Sequence, residues 1–367
     1  MSRTTGTGIR SRGKRKPGST PTPTPITPPA EGRIFTGALI RGETYGFKPS
    51  PPAPASTPYQ DSPWDPDTSD LFELHAGKGI SIIHYGAPWR SGGVMQSFFT
   101  GPANLCLANG SYPLLDWSPW EVSPSEVYPF TMAAIAAGTH DSYITTYAQA
   151  VGAWNKPLFL RPMWEMNGTW FEGWSPSASG GPSAANFVSA WQKIVGIFRT
   201  HAPKATFVWC PNVIDNQAGT TVYPLTGLWP GASYVDWVGI DGYAWGSDNL
   251  NKSFTSTFSN SYSAITALSG ASSLPMMLGE WGCDDSATVV GGSKSAWLTD
   301  ALSVLAAGVT FPNIRAAVYF NRNVEGQNWC IENGSGAQAA YAAGMANARF
   351  ASAEYGGATT GPITAPA

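Results

Sequence analysis

LFLRPMWEMNGTW, residues 158–170, begins as a core strand and ends as something a core rejects. Leu158, Phe159 and Leu160 suit a strand buried on both faces. Arg161, Glu165 and Asn167 follow, interleaved with Met163, Trp164 and Met166. Charged side chains are almost never fully buried unless paired. Only 12% of the 367 residues are charged. A Glu and an Arg among apolar neighbours therefore need a reason, and a strand that emerges into a cleft supplies one.

Seven further apolar runs resemble the start of this one. In chain order the eight are IFTGALI (34–40), ISIIHYGAP (80–88), YPLLDWSP (112–119), PLFLRPMWE (157–165), ATFVWCPN (205–212), VDWVGIDGYAW (235–245), PMMLGEWG (275–282) and IRAAVYFN (314–321). Between them, residues 141–154, 183–201 and 294–308 carry apolar side chains at the three- and four-residue spacing of helices. DSYI and SAANF open two of these with cap-type residues, and Gly308 is a natural stop for the third. Eight strands alternating with helices predict an α/β fold, a (β/α)8 TIM barrel over residues 33–350, with its site at the C-terminal ends of the strands. An open doubly wound sheet would favour a glycine-rich phosphate loop after an early strand, and none is present.

The runs finish in polar or aromatic residues: His84 and Tyr85, Asp116 and Trp117, Glu165 and Asn167, Asn212, Asp241 and Tyr243, Glu280 and Trp281, and Asn321. Ends of neighbouring barrel strands converge on one pocket. Glu165 in the fourth run and Glu280 in the seventh are set among tryptophans, Trp164, Trp170 and Trp174 near the first and Trp281 beside the second. Cleavage of a glycosidic bond needs two such carboxyl groups. One is held protonated by apolar neighbours, and the other is held ionised by donors. Arg161 and Tyr243 are candidates for those donors.

RPMWEMNGTWFEGW resembles the acid/base segment of glycoside hydrolase family 26, which usually reads Arg-Pro-x-His-Glu-x-Asn-Gly-x-Trp. VGIDGYAW is similar to that family's sixth strand, MLGEWG to its nucleophile strand, and AAVYFN followed by Trp329 to its eighth. The resemblance covers roughly 33–350. It implies a retaining (β/α)8 glycanase of the β-mannanase and lichenase kind, with Glu165 as general acid/base and Glu280 as nucleophile. Tyr243 would bond Glu280, Arg161 would help hold that carboxylate ionised, and Asn167 would shape the site. Trp170, Trp174, Trp245 and Trp329 would be sugar platforms, and His84 would lie near the floor of the central subsite. Trp164 stands where the family usually has His, which alters a hydroxyl contact and leaves glycans other than mannan open. Asp241, Trp281 and Asn321 join the substrate-binding candidates as strand-end residues.

Sixteen Trp is a large number for a chain of this length and fits flat platforms for sugar rings. The net charge is −3. Six cations (Arg3, Arg10, Arg12, Lys14, Arg15, Lys16) and no acid fall in residues 1–16, so the remainder carries −9. Nothing there points to nucleic acid. Residues 1–32 form a basic, then Pro/Thr-rich segment expected to be a disordered tail or a tether to a multiprotein particle. Residues 47–63 read as a proline-rich loop, and 351–367 as a flexible tail. No apolar run is long enough to span a membrane, and PGSTPTPTPITPP is not the apolar core of a signal peptide. Cys106, Cys210, Cys283 and Cys330 have no zinc spacing, and neither do the four His. No metal or cofactor is expected. Cys210 reads as a buried thiol, and Cys283 and Cys330 as a pair that could meet. His140 and His201 read as helix-end residues. The alternatives are a carbohydrate-binding protein on a degenerate barrel, or a component of a particle such as a phage tail that cuts or grips an envelope glycan. A polymeric substrate places the action outside the cell, by a virion or a non-standard route of export.

Overall fold

The computed structural model describes residues 32–41, 63–215, 222–246, 251–324, 326–356 and 360–367. The expectations for residues 1–31 and 47–62 lie outside these. Eight parallel strands close into a barrel: β1 (Ile34–Ile40), β2 (Ile82–Ser91), β3 (Tyr112–Glu121), β4 (Leu158–Leu160), β5 (Ala205–Trp209), β6 (Trp237–Ala244), β7 (Met276–Cys283) and β8 (Ile314–Asn321). Each pairs with the next, and β8 pairs with β1, Ile40 lying opposite Asn321. The four longest helices among the described residues, α1 (Asp141–Trp154), α2 (Ala184–His201), α3 (Phe254–Thr266) and α4 (Lys294–Ala307), pack outside.

The helices form where the apolar spacing predicts them. In α2, Phe187, Ala190, Trp191, Ile194, Val195 and Phe198 make one buried face, and Ser183 caps its start by accepting from the Asn186 N–H. Gly308 stops α4 in the left-handed conformation. The start of α1 differs in detail. His140 is its N-cap, and Asp141 lies inside the first turn, where a carboxylate favours the helix dipole. His201 ends α2.

Alternation along the strands sorts the core into two clusters. Phe35, Ile82, Leu114, Phe159, Val208, Cys210, Trp237, Met277, Ala316 and Val318 fill the barrel. Their sequence neighbours, such as Ile83, Leu115, Val238, Leu278 and Tyr319, face the helices. All four cysteines are free, buried thiols, so Cys283 and Cys330 are not bonded. The C-terminal segment is not loose as its composition suggests. Ile363 joins the interior cluster, its carbonyl accepts from Trp237 Nε1 (2.8 Å) and its N–H donates to Thr206 Oγ1 (2.7 Å). One apolar residue that seals the open end of a barrel outweighs the small, polar residues around it.

Candidate active site

β4 is only three residues long, and Glu165 is not its last residue but lies five past its end. Arg161 N–H still bonds the Leu115 carbonyl (2.8 Å), so Arg161 continues the ladder. The chain then turns through left-handed conformations at Met163 and Glu165, both at φ 50. Such angles cost a non-glycine residue about 1–2 kcal/mol. They are held by Met163 N–H on Ser118 Oγ (2.8 Å) and Glu165 N–H on the Cys210 carbonyl (2.7 Å). The turn brings Glu165 over the barrel mouth.

On β7 the device is a bulge. Ile240 lies opposite Leu278, but Asp241 lies opposite Glu280, so Gly279 is the extra residue. Met277 faces the interior and Leu278 faces the helices. Without the bulge, strict alternation would send Glu280 to the helix side and Trp281 to the cleft. With it, Glu280 faces inward. Glycine is required there, because a Cβ would meet Asp241 Oδ1 at 2.7 Å and Arg161 Nη1 at 2.8 Å.

Arg161 is fully buried and ties four strands together. Its Nε and Nη2 donate to the two oxygens of Asp116 on β3 (2.6 and 2.7 Å). Its Nη1 donates to both oxygens of Asp241 on β6 (2.9 Å), and Nη2 also reaches Glu280 Oε1 on β7 (2.5 Å). His84 Nε2 on β2 lies 2.6 Å from Asp116 Oδ2. Burial alone would push the Asp116 carboxyl up, but Arg161 and His84 outweigh it and hold it below its ordinary value. Burial and the nearby Glu280 and Glu165 push Asp241 well up against the pull of Arg161. Two trios, His84–Asp116–Glu280 and Glu165–Asp241–Glu280, are close enough to share an ion. The Arg161 guanidinium bonds members of both, and so supplies the positive charge that a metal would bring.

The two glutamates have opposite surroundings. Glu280 accepts from Arg161 on one oxygen and from the Tyr243 hydroxyl on the other. Burial and the Glu280 charge push the Tyr243 phenol well up, so it stays a donor. Glu165 accepts from Asn212 Nδ2 (2.5 Å) and Trp170 Nε1 (2.6 Å) and has no cation bonded to it among the described residues. Burial, and then the Glu280 charge, push its carboxyl up to about 8. One oxygen of each glutamate lies within 4.8 Å of the other.

Both glutamates open onto a cleft of about 570 Å3. Of the residues singled out in the sequence, His84, Trp164, Trp170, Tyr243, Trp245 and Trp329 line it with them. Asp241 and Arg161 lie beneath. Asn167 is buried and shapes the site from behind. Its amide donates to the Asn212 carbonyl and accepts from the Asn212 N–H, both at 2.8 Å. Three more of the substrate-binding candidates, besides Asp241 and Asn167, do not line the cleft. Trp174 is fully buried beneath Trp164, whose carbonyl accepts from its indole N–H (2.8 Å). Trp281 faces outward, packed on Trp297 and Tyr319. Asn321 is also turned outward by alternation, and accepts from Ile331 N–H (2.8 Å). Asp116 and Asn212 appear in the sequence only as strand ends, yet one pairs with Arg161 and the other bonds Glu165. Alternation from Leu114 to Asp116 and from Val208 to Asn212 is the signal that places both inside. Trp120 lies beyond the third run and also lines the cleft.

The sequence profile of glycosyl hydrolase family 26 matches residues 135–301, a segment that contains both glutamates. Endoglucanase H of Acetivibrio thermocellus is 32% identical over 280 residues, which cover 74% of this chain and 28% of that protein. The chain thus spans 28% of the length of that curated relative. A modular endo-β-1,4-mannanase of Cellulomonas fimi superposes at TM-score 0.57 and 16% identity, covering 91% of this chain and 75% of that one. The catalytic domain of an endo-β-1,4-mannanase from Bacillus sp. JAMB-750 superposes at TM-score 0.59 and 13% identity, covering 88% of each. These two structures are similar in fold. On the profile match and the endoglucanase relative, the barrel of this chain belongs to glycosyl hydrolase family 26.

Proposed function

We propose that the chain is a retaining endo-glycanase that hydrolyses a β-linked polysaccharide by double displacement, with a β-glucan as the first substrate to test. The observation that carries the mechanism is the pair Glu165 and Glu280, with oxygens within 4.8 Å and opposite surroundings. Retaining enzymes hold their carboxyl groups roughly 5–5.5 Å apart, and inverting enzymes leave space for a water between them. Glu165, pushed up to about 8, holds a proton at neutral pH and gives it to the departing glycosidic oxygen. Glu280, oriented by Arg161 and Tyr243, attacks the anomeric carbon as that bond breaks. Glu165, now a carboxylate, takes a proton from water. The hydroxide oxygen bonds the anomeric carbon, and Glu280 leaves. Trp164 and Trp170 line the cleft beside the acid. The endoglucanase relative favours a glucan, and Trp164, standing where the family usually has His, leaves glycans other than mannan open.

The polymer lies outside cells, so we propose that the chain acts there. Its basic segment, Arg3–Lys16, would tether it to a larger particle. Particle association that survives removal of residues 1–30 would end that part of the proposal.

The deciding experiment compares the parent with Glu280→Gln on mixed-linkage β-glucan, β-mannan, xylan and bacterial envelope polysaccharides. Products are sized by mass spectrometry, and the first anomer formed is read by NMR. Release by the parent alone, with the β-anomer first and a range of oligosaccharide sizes, is the expected result. Inversion, or equal activity in Glu280→Gln, would overturn it.

A further inference from the structure

Lys294 is a cation where a helix does not favour one. It is the first residue of α4, and the N-terminal end of a helix attracts negative charge. Ser293 already caps that end by accepting from the Ala296 N–H. Lys294 is nevertheless 2% exposed, and among the described residues no carboxylate bonds it. Its ammonium donates instead to three consecutive main-chain carbonyls, those of Asn328 (2.8 Å), Trp329 (2.9 Å) and Cys330 (2.7 Å). Three carbonyl dipoles pointed at one spot repel each other, and a buried ammonium offsets that repulsion through charge-assisted bonds.

The same short segment is fastened from other sides. Asp284 Oδ1 accepts from the Asn328 N–H (2.6 Å), and the Tyr319 hydroxyl donates to the Trp329 carbonyl (2.7 Å). Asn321 holds the Ile331 N–H, as described above. Between these ties stands Trp329. It is 1% exposed, so it offers a sugar little surface. Its ring lies 4.9 Å from that of Tyr243 and 4.9 Å from that of Trp245. Tyr243 in turn bonds Glu280.

We propose that Lys294 is a positioning residue for the nucleophile: its ammonium gathers the carbonyls of residues 328–330, which sets Trp329 behind Tyr243 and Tyr243 against Glu280. Trp329 is then a buttress before it is a sugar platform. Burial pushes the Lys294 ammonium down to about 8, against the opposing pull of Cys283, Cys330, Asp285 and Asp284. Glu165 titrates in the same range, so an alkaline activity limb alone does not separate the two groups.

A double-mutant cycle does. The inference rests on the proposed glycanase reading, so the reference is the parent rate on its best polysaccharide. Lys294→Met keeps the length and removes the donors. Misplacement of catalytic groups by about 1 Å costs up to roughly 100-fold, so a kcat loss on the order of tenfold is expected, with KM within about twofold. In a Tyr243→Phe background the same change should cost less than about twofold, because the hydroxyl it orients is gone. Unchanged kcat, or an equal loss in both backgrounds, would overturn the proposal and leave Lys294 a residue of stability alone. If Lys294→Met does not fold, Trp329→Phe takes its place in the same cycle with the same criteria. If the parent cleaves nothing, the glycanase reading fails separately, and a crystal structure of Lys294→Met decides the positioning. Trp329 withdrawn from Tyr243 supports it, and an unmoved ring refutes it.

Discussion

Glu165 carries two consequences at the scale of a single residue. Its folded carboxyl is raised from 4.5 to about 8, so the folded state holds a proton that the unfolded state releases. The stability this contributes is complete below about pH 4.5 and is lost as the pH rises through about 8. Glu165→Gln keeps the shape without the charge. Thermal melts should therefore show the variant gaining on the parent between pH 6 and pH 9, by about 2–4 °C for each kcal/mol of relief. A gap that does not widen would mean Glu165 is not buried as described. The second consequence concerns Trp170, whose indole N–H favours the ionised form of Glu165. Trp170→Phe removes that donor, and a hydrogen bond is worth about 1 kcal/mol. The alkaline limb of the pH–rate profile should move up by up to about one unit. A downward move would contradict the assigned donor.

At the scale of the element, β7 works only because it is irregular. The bulge at Gly279 turns Glu280 inward and Trp281 outward. Gly279→Ala puts a methyl group against Asp241 and Arg161, which cannot retreat without breaking the buried network. Overpacking of this kind costs typically about 1–3 kcal/mol. Denaturant unfolding should show that loss, and turnover should fall more than stability predicts, because the side chains displaced are those that hold Glu280. Normal turnover in a correctly folded Gly279→Ala would show that the cage tolerates movement. The turn after β4 is the counterpart. Two left-handed residues there aim Glu165, and Asn167 fastens the loop to Asn212. A sequence reading sees a strand that continues to Glu165, because Pro162, Met163 and Trp164 do not announce a turn of this kind.

For the whole molecule, the cleft end and the opposite end of the barrel have separate duties. The catalytic candidates lie at the C-terminal ends of the strands, while Ile363, Trp237 and Phe159 seal the other end. Ile363→Ala should cost about 2–5 kcal/mol, as other large-to-small core changes do. Calorimetry reads the loss, and kcat at a temperature where both proteins are folded should match the parent. A change in kcat would mean that the two ends are coupled.

Periodicity and chemistry were legible along the chain. Eight buried runs, the helices between them and the pair Glu165 and Glu280 follow from local pattern, because strand burial and carboxylate chemistry are written in consecutive residues. Unbroken alternation places Asp116 inside, beside Arg161, and Asn321, which reads as a substrate residue, outside. It does not foresee that Trp281 points outward or that Trp174, which reads as a platform, is packed beneath one. The reason is physical. Side-chain direction alternates every residue, so a single bulge at Gly279 or a turn at Met163 reverses it, and only the pairing of neighbouring strands decides where such a step occurs. The same holds for Lys294, whose partners lie 34–36 residues along the chain and meet it only after the barrel has closed.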